Sequence, residues 1–423
     1  MFFLEKLDVI FTQAMRDVPE GNIGVAVSGG GDSLALLYLS ANWARKNGRK
    51  LKSATVDHGL RAESAFECNF VKKISTELSI EHSTLKWLNK PTGNLQNSAR
   101  DARHRLLFKW QIKENLSVVL LGHTLDDNAE TILIRISRGS GIDGLVGMSQ
   151  SKNINDLRIF RPLLKVTREE LREYLSLNSA EWIDEPSNFD ERFQRIKMRK
   201  LLPKLSEVGL SAEKLISLAS HMARAKEALD LEVLSFARIY VKQQPWGGLE
   251  IQYAPFIALC SEYQFRLLSA ALRWISGNIY RPRFKGLKKL TSLISECGDF
   301  NGVSLMGCII KCNKEKVVLN REYVAISSCK AVRDPSFIWD KKWHVTVDPS
   351  KIEHGVVGPL GKSGLSQLEI KKNSKIPISA LISSVALFQN KKVVCLPVLS
   401  YGEGLTSEII GGTESFLNFL SAY

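Results

Sequence analysis

Over the first two hundred residues, short apolar runs alternate with stretches whose apolar positions recur at three-and-four spacing. The runs IGVAV (23–27), LKSATV (51–56), HSTLKW (82–87) and SVVLLG (117–122) read as strands. The stretches 33–46, 63–78, 99–114 and 126–137 read as the amphipathic helices that follow them. This alternation predicts right-handed crossovers and an α/β domain whose parallel sheet carries helices on both faces. Near residue 205 the pattern changes. Residues 210–241 read as one or more helices, 252–297 as helical with a break near Gly277, and the chain from 300 onward as β-rich. Residues 343–423 mix short strands with Gly/Ser-rich turns. The expected layout is an α/β domain at 1–208, a mainly helical domain at 209–330 and a small mixed α/β domain at 338–423.

Polar clusters follow several of these strands. The first runs into SGGGDS (28–33), the second into DHGLR (57–61) and the fourth into GHTLDDNAET (122–131), while NLQNSARDARHR (94–105) precedes the third helix. In a parallel sheet, ligands sit beyond the carboxyl ends of the strands, so these distant segments are expected to share one edge and one site.

A chain of 423 residues with 44% hydrophobic and 24% charged residues is expected to be a soluble protein of two or three domains. Its net charge of +14 and pI near 9.4 favour a polyanionic partner, nucleic acid or an anionic membrane surface. The amino-terminal stretch carries Glu5 and Asp8 among its apolar residues, unlike a signal peptide, and no apolar run approaches membrane-spanning length. A cytoplasmic protein without membrane attachment is expected. The seven cysteines are scattered, which argues against a disulfide scaffold. Cys308 and Cys312 form a CxxxC without a second cysteine or histidine pair nearby, and they read as buried strand residues rather than a metal site.

The glycines of SGGGDS point to phosphate. Between a strand and a helix, Gly29, Gly30 and Gly31 can turn tightly and aim successive N–H groups at one spot near the positive end of the helix. Ser28 and Ser33 add hydroxyls, and Asp32 can hold Mg²⁺ against bound phosphates. The segment lacks the GK[ST] ending of a P-loop and is not a GxGxxG fingerprint. In GHTLDDNAET, Thr124 and Asp127 suit a capping box, which accounts for the threonine and one acid. It leaves His123 at the strand end, and Asp127 and Glu130 one turn apart on one face, a pair suited to a metal or a cationic substrate.

SGGGDS resembles the SGGxDS loop of the N-type ATP pyrophosphatases, or PP-loop enzymes, whose nucleotide domain is Rossmann-like. With DHGLR, the ARxxR of residues 99–103, HTLDDNAET, RGSGIDGLVGM (138–148), RPLL (161–164) and EWIDEPSNFDERFQR (181–195) in that order, the chain is similar to the tRNA(Ile)-lysidine synthetases. The match is dense over the first two hundred residues and rests on layout beyond them. The family's tyrosine after ARxxR is His104 here, and its RN pair reads Arg195–Ile196. The resemblance implies that ATP adenylates O2 of the wobble cytidine in a CAU anticodon, and that the ε-amine of free lysine then displaces AMP at C2. It implies ATP and Mg²⁺ as small-molecule requirements, and tRNA(Ile) and L-lysine as partners. His123, Asp127 and Glu130 correspond to family active-site positions, as do Arg103 and Arg195, and Asp32 joins them as the Mg²⁺ ligand. Asp57 is placed near the nucleotide with Ser28 to Ser33. Arg192, Arg195, Lys197 and Arg199, with Arg281, Arg283, Lys285 and Lys288 of RPRFKGLKK, would contact the tRNA backbone. Two other readings stand beside this one: a thiolation enzyme on the same nucleotide domain, for which Cys68 is the lone cysteine in the first two hundred residues, and a basic RNA-binding protein without catalysis. Oligomeric state stays open, with a homodimer among the options.

Overall fold

A computed structural model of the chain describes residues 2–59, 64–88, 95–154, 157–184, 192–328, 330–332, 334–352, 355–368 and 376–422. The chain divides into two compact units, Met1–Lys226 and Glu227–Tyr423.

In the first unit, α1 (Phe2–Met15) leads into β1 (Asn22–Ala26), α2 (Gly31–Lys46), β2 (Leu51–Asp57), α3 (Ser64–Glu77), β3 (Glu81–Lys86), α4 (Leu95–Lys113), β4 (Leu116–Leu121) and α5 (Leu125–Ser137). The four expected strands therefore lie within one residue of their sequence positions, and α4 begins four residues earlier than its periodicity suggests. A short α6 (Ile142–Leu145), the strands β5 (Ser151–Ile154) and β6 (Leu157–Phe160), α7 (Arg168–Leu177) and α8 (Gln194–Glu207) complete the site-bearing part. Leu60, Arg61, Glu63 and Asn94 of the expected segments, and 185–191 of the EWIDEPSNFDERFQR motif, lie outside the described residues.

Among the described residues the sheet has six strands in the order β3-β2-β1-β4-β6-β5. Every neighbouring pair is parallel except β5 with β6 at the edge. The central strands β1 and β4 are nearly continuous buried apolar runs, as a sheet covered on both faces requires. On one face Val25, Val27, Leu120 and Phe160 pack with Leu34 and Leu37 of α2, Val71 of α3 and Leu171 of α7. On the other, Ala26, Val119, Leu121 and Ile159 pack with Leu107 and Trp110 of α4. The strand order reverses direction between β1 and β4, whose ends meet at Ala26 and Leu121, and this is where an open α/β sheet leaves a crevice.

The long helix α9 (Ala212–Tyr240) is followed in the second unit by β7 (Val241–Gln243), β8 (Leu249–Gln252), α10 (Tyr253–Ala258), α11 (Ser261–Ser276) and α12 (Phe284–Cys297). Gly277 takes a left-handed conformation at the end of α11, which produces the break read from the sequence. Three further strands, β9 (Phe300–Leu305), β10 (Cys308–Cys312) and β11 (Lys316–Arg321), join β7 and β8 in an antiparallel sheet ordered β7-β8-β11-β10-β9. Cys308 and Cys312 are free thiols buried on β10, as expected, and no cluster of metal ligands occurs among the described residues. The remainder forms two further antiparallel sheets, one of five strands and one of three that contains residues 336–339, 343–347 and 405–409. No described helix is long and apolar enough to cross a membrane.

The two-faced burial of the sheet makes Leu120 a sensitive position, for it is fully enclosed near the carboxyl end of β4. Leu120→Ala is expected to cost about 2–5 kcal/mol through lost transfer energy and a residual cavity. Urea unfolding followed by far-UV circular dichroism checks this; a loss below about 1 kcal/mol would mean the sheet centre collapses around the gap.

Candidate active site

Two backbone constraints build the site. After β1 the chain turns through Gly29 at φ +97°, a conformation that L side chains rarely adopt, and Gly30 then caps the start of α2. Ser33 Oγ donates to Gly30 O at 2.9 Å and accepts from Ser28 N at 3.1 Å, so the two serines brace the loop from inside. The second constraint is at Gly122, just past β4. A Cβ there would lie 3.0 Å from the Asp32 carbonyl oxygen and 3.1 Å from Ser33 Cα, so the glycine lets the end of β4 press against the first turn of α2. The SGGGDS loop and the GHTLDDNAET segment are thereby neighbours, although about ninety residues of chain separate them.

Thr124 caps α5, with its hydroxyl accepting from Asp127 N at 3.2 Å and the Asp127 carboxylate accepting from Thr124 N at 3.0 Å, the capping box read from the sequence. The other Asp127 oxygen faces Arg168 NH2 at 3.0 Å and Arg195 NH2 at 3.1 Å. Glu130, one turn on, has no exposed side-chain surface and meets Arg195 Nε at 2.6 Å, Arg199 Nε at 2.8 Å and Arg168 NH1 at 3.6 Å. Arg168 also reaches Asp32 with Nε at 3.1 Å, and its backbone N–H donates to Asp126 at 2.7 Å. Asp127 and Glu130 do face the same way, but it is arginine from α7 and α8 that fills the space between them.

The charges tune one another. Burial pushes the Asp32 carboxyl above its usual range, reinforced by Asp127 and opposed by Arg168. Burial acts on Asp127 in the same sense, yet Arg195 and Arg168 outweigh it and hold that carboxyl below its usual range. For Arg168, burial works against the charge and the carboxylates Asp127, Asp32 and Glu130 more than restore it. His123 is pushed down to about 3, by burial first and then by Arg161, Arg103 and Arg195, with Asp127 opposing; its imidazole is neutral near pH 7.

These groups line a cleft of about 640 Å³ whose walls include Ser28, Gly30 to Ser33, Arg103, His123 and Asp127. Arg195 and Arg199 form part of it, and so does Arg168. Asp57 ends β2 by accepting the Gly59 N–H at 2.8 Å and is not among the described residues of the cleft wall. Arg199, read from sequence as a tRNA contact, is engaged with Glu130. Arg192 and Lys197 are exposed before and on α8, while Arg281, Arg283, Lys285 and Lys288 are exposed around the start of α12 in the second unit. His104 is half-buried on α4 and held at about 4 by burial and by Arg100 and Arg103. Sequence reasoning missed Arg168, because Thr167 and Glu170 make its surroundings read as an ordinary helix start. The available signal lay elsewhere: Arg195 and Arg199 are spaced four apart on α8, one face of which had to find acids.

A divalent cation brought in on a nucleotide suits this donor set. Mg²⁺ is commonly held by one or two carboxylates together with substrate phosphates, and Asp32 and Asp127 both reach the same Arg168 guanidinium, the place a second cationic group would compete for.

A family model described as PP-loop domain matches residues 4–205. Over its length the chain is 35% identical to a tRNA(Ile)-lysidine synthase of Ruegeria pomeroyi, across 399 residues that make up 94% of this chain and 93% of that protein. A tRNA(Ile)-lysidine synthase of Wolbachia pipientis is 33% identical over 95% of both chains, and one of Rhodopseudomonas palustris is 41% identical over 65% of this chain and 80% of its own.

Removing the buried charge tests the arginine network directly. Glu130→Gln leaves Arg195 and Arg199 facing a neutral amide and is expected to cost about 3–5 kcal/mol in stability, read as a lower unfolding midpoint. An unchanged midpoint would instead make Glu130 a group that meets substrate rather than one that organises arginines.

Proposed function

Because the chain belongs to the tRNA(Ile)-lysidine synthase family, we propose that its first unit carries out both steps of lysidine formation in the cleft at the end of β1 and β4. The enzyme is a ligase that uses ATP to modify tRNA. In the first step, O2 of the wobble cytidine of a CAU-anticodon tRNA(Ile) attacks the α-phosphorus and pyrophosphate leaves. In the second, the lysine ε-ammonium gives a proton to solvent, the free amine attacks C2, the C2–O bond breaks and AMP departs with the oxygen. The observation that carries this reading is the meeting of the braced glycine loop with His123 and the arginine–carboxylate cluster at the switch point of the sheet.

In this reading Ser28, Gly30, Gly31 and Ser33 cradle the phosphates, and the amino-terminal end of α2 faces their charge. Asp32 would hold Mg²⁺, which supplies charge neutralisation on the triphosphate. Arg103 and Arg195 stabilise negative charge as it develops at the α-phosphorus. Asp127 is held low by its arginines, which makes it a poor proton acceptor and a good anionic contact for the lysine ammonium, so it orients the amine. The base must leave the stacked anticodon loop to reach the cleft.

The second unit offers a surface for the tRNA backbone. Between Glu262 and Glu296 no acidic residue occurs, while Arg281, Arg283, Lys285, Lys288 and Lys289 cluster around the start of α12. Leu287, Leu290 and Ile294 take the buried face of that helix, which leaves the lysines outward. Tyr280 and Phe284 stand exposed among them at 82% and 65%, and aromatic rings between cations are typical of RNA-facing surfaces. The thiolation alternative finds little support, since Cys68 is buried on α3 and burial raises its thiol.

The decisive assay supplies labelled lysine, ATP, Mg²⁺ and a CAU-bearing tRNA(Ile) transcript, and counts label in the RNA. Incorporation is expected to need ATP and to vanish when the wobble cytidine is replaced; pyrophosphate release without label would make lysine the wrong nucleophile. Replacing Arg283, Lys285 and Lys288 together by alanine is expected to raise the KM for tRNA about tenfold at moderate salt and to flatten its salt dependence, leaving the KM for ATP unchanged. An unaltered salt slope would remove α12 from the tRNA path.

A further inference from the structure

We infer that His123 serves the reaction as a neutral imidazole donating a hydrogen bond from Nε2, and that Arg161 is the positioning residue that fixes this tautomer. The part concerning the reaction rests on the lysidine reading above; the tautomer itself does not.

The argument begins with donors. An arginine Nε carries a hydrogen and has no lone pair to offer, so where Arg161 Nε meets His123 Nδ1 at 3.3 Å, the ring nitrogen accepts. Nδ1 is then unprotonated, and the single proton of a neutral ring sits on Nε2. Arg161 is not free to turn away. It is only 7% exposed, its NH1 donates to Ser149 O at 2.7 Å and its backbone N–H donates to Gln150 O at 2.8 Å. Its orientation is thus set by main-chain groups next to β5. His123 is equally constrained: it follows Gly122 directly, and its own N–H donates to Leu121 O at 3.0 Å. The ring lines the cleft beside the glycine loop.

The surroundings oppose a second proton. The charged groups facing the ring are Arg161 after β6, Arg103 on α4 and Arg195 on α8, against Asp127 on α5. With Nδ1 bound to a guanidinium and Nε2 already protonated, His123 has no lone pair available to take a proton from lysine. It can donate, and an α-phosphoryl oxygen is the acceptor both steps provide, since negative charge moves onto that group as cytidine O2 attacks and again as AMP leaves.

Two measurements test this. In protein labelled with ¹⁵N-histidine, with the His123 signals identified by loss in a His123→Gln variant, two-bond ¹H–¹⁵N correlations should show the Nε2–H pattern at pH 7. An Nδ1–H pattern or an imidazolium at pH 7 overturns the inference whether or not the chain makes lysidine. Kinetics give the second readout. Glutamine can place an N–H near the position of Nε2 and cannot act as a base, so His123→Gln should retain most of the kcat, whereas His123→Ala should lose about 10²–10³-fold with little change in the KM for ATP. If the glutamine variant is as slow as the alanine variant while both melt like wild type, His123 is a base and the inference fails. Arg161→Met should release the ring and give a mixture of Nδ1–H and Nε2–H tautomers in the same correlations; the pure Nε2–H pattern of the wild type in that variant would remove Arg161 from its role.

Discussion

A carboxylate with no exposed surface must find counter-charge, and Glu130 finds it in Arg195, Arg199 and Arg168. Much of the site depends on that requirement. Arg195 and Arg199 pin α8 to α5, Arg168 brings in α7, and the same Arg168 guanidinium reaches across to Asp32 on α2. Four helices that enclose the cleft are joined by one ionic network of three carboxylates and three arginines. The cluster is balanced in itself, three carboxylates against three guanidinium groups.

Within this balance, environment assigns different tasks to similar groups. Asp32 and Asp127 are both carboxylates near Arg168, yet burial prevails at Asp32 and the arginines prevail at Asp127. The histidine beside them remains neutral because its ring is buried and, second to that, faces more cations than anions. A site that must accept a polyphosphate, a nucleobase and an ammonium group has use for all three states: a carboxyl inclined to share a cation, a firmly ionised carboxylate and an uncharged donor.

Much of this was legible in the chain. IGVAV and SVVLLG become β1 and β4 because a strand buried on both faces needs an unbroken apolar run, and the glycines of SGGGDS announce the turn between strand and helix. The capping box at Thr124 was readable because it depends on two residues three apart. The hairpin of β5 and β6 was not, since SKNI has little apolar content and owes its place to pairing with LRIF. Nor was the true setting of Glu130. Its spacing from Asp127 revealed a shared face, but what covers that face comes from residues 168, 195 and 199, and only the folded chain brings them there. Arg168 was obscured for the same reason: in the sequence it stands among charges that read as a solvated helix start.

The contact at Gly122 also bears on how the molecule could be rebuilt. In sequence the glycine loop has the form of a self-contained cassette, movable between sheets of this type. It is not, because the carbonyl oxygen of Asp32 lies 3.0 Å from where a Cβ at position 122 would sit, closer than an ordinary contact. A transplant of residues 28–33 into another scaffold therefore has to carry the strand end opposite as a second piece, and the smallest exchangeable part of this nucleotide site is a pair of segments distant in sequence.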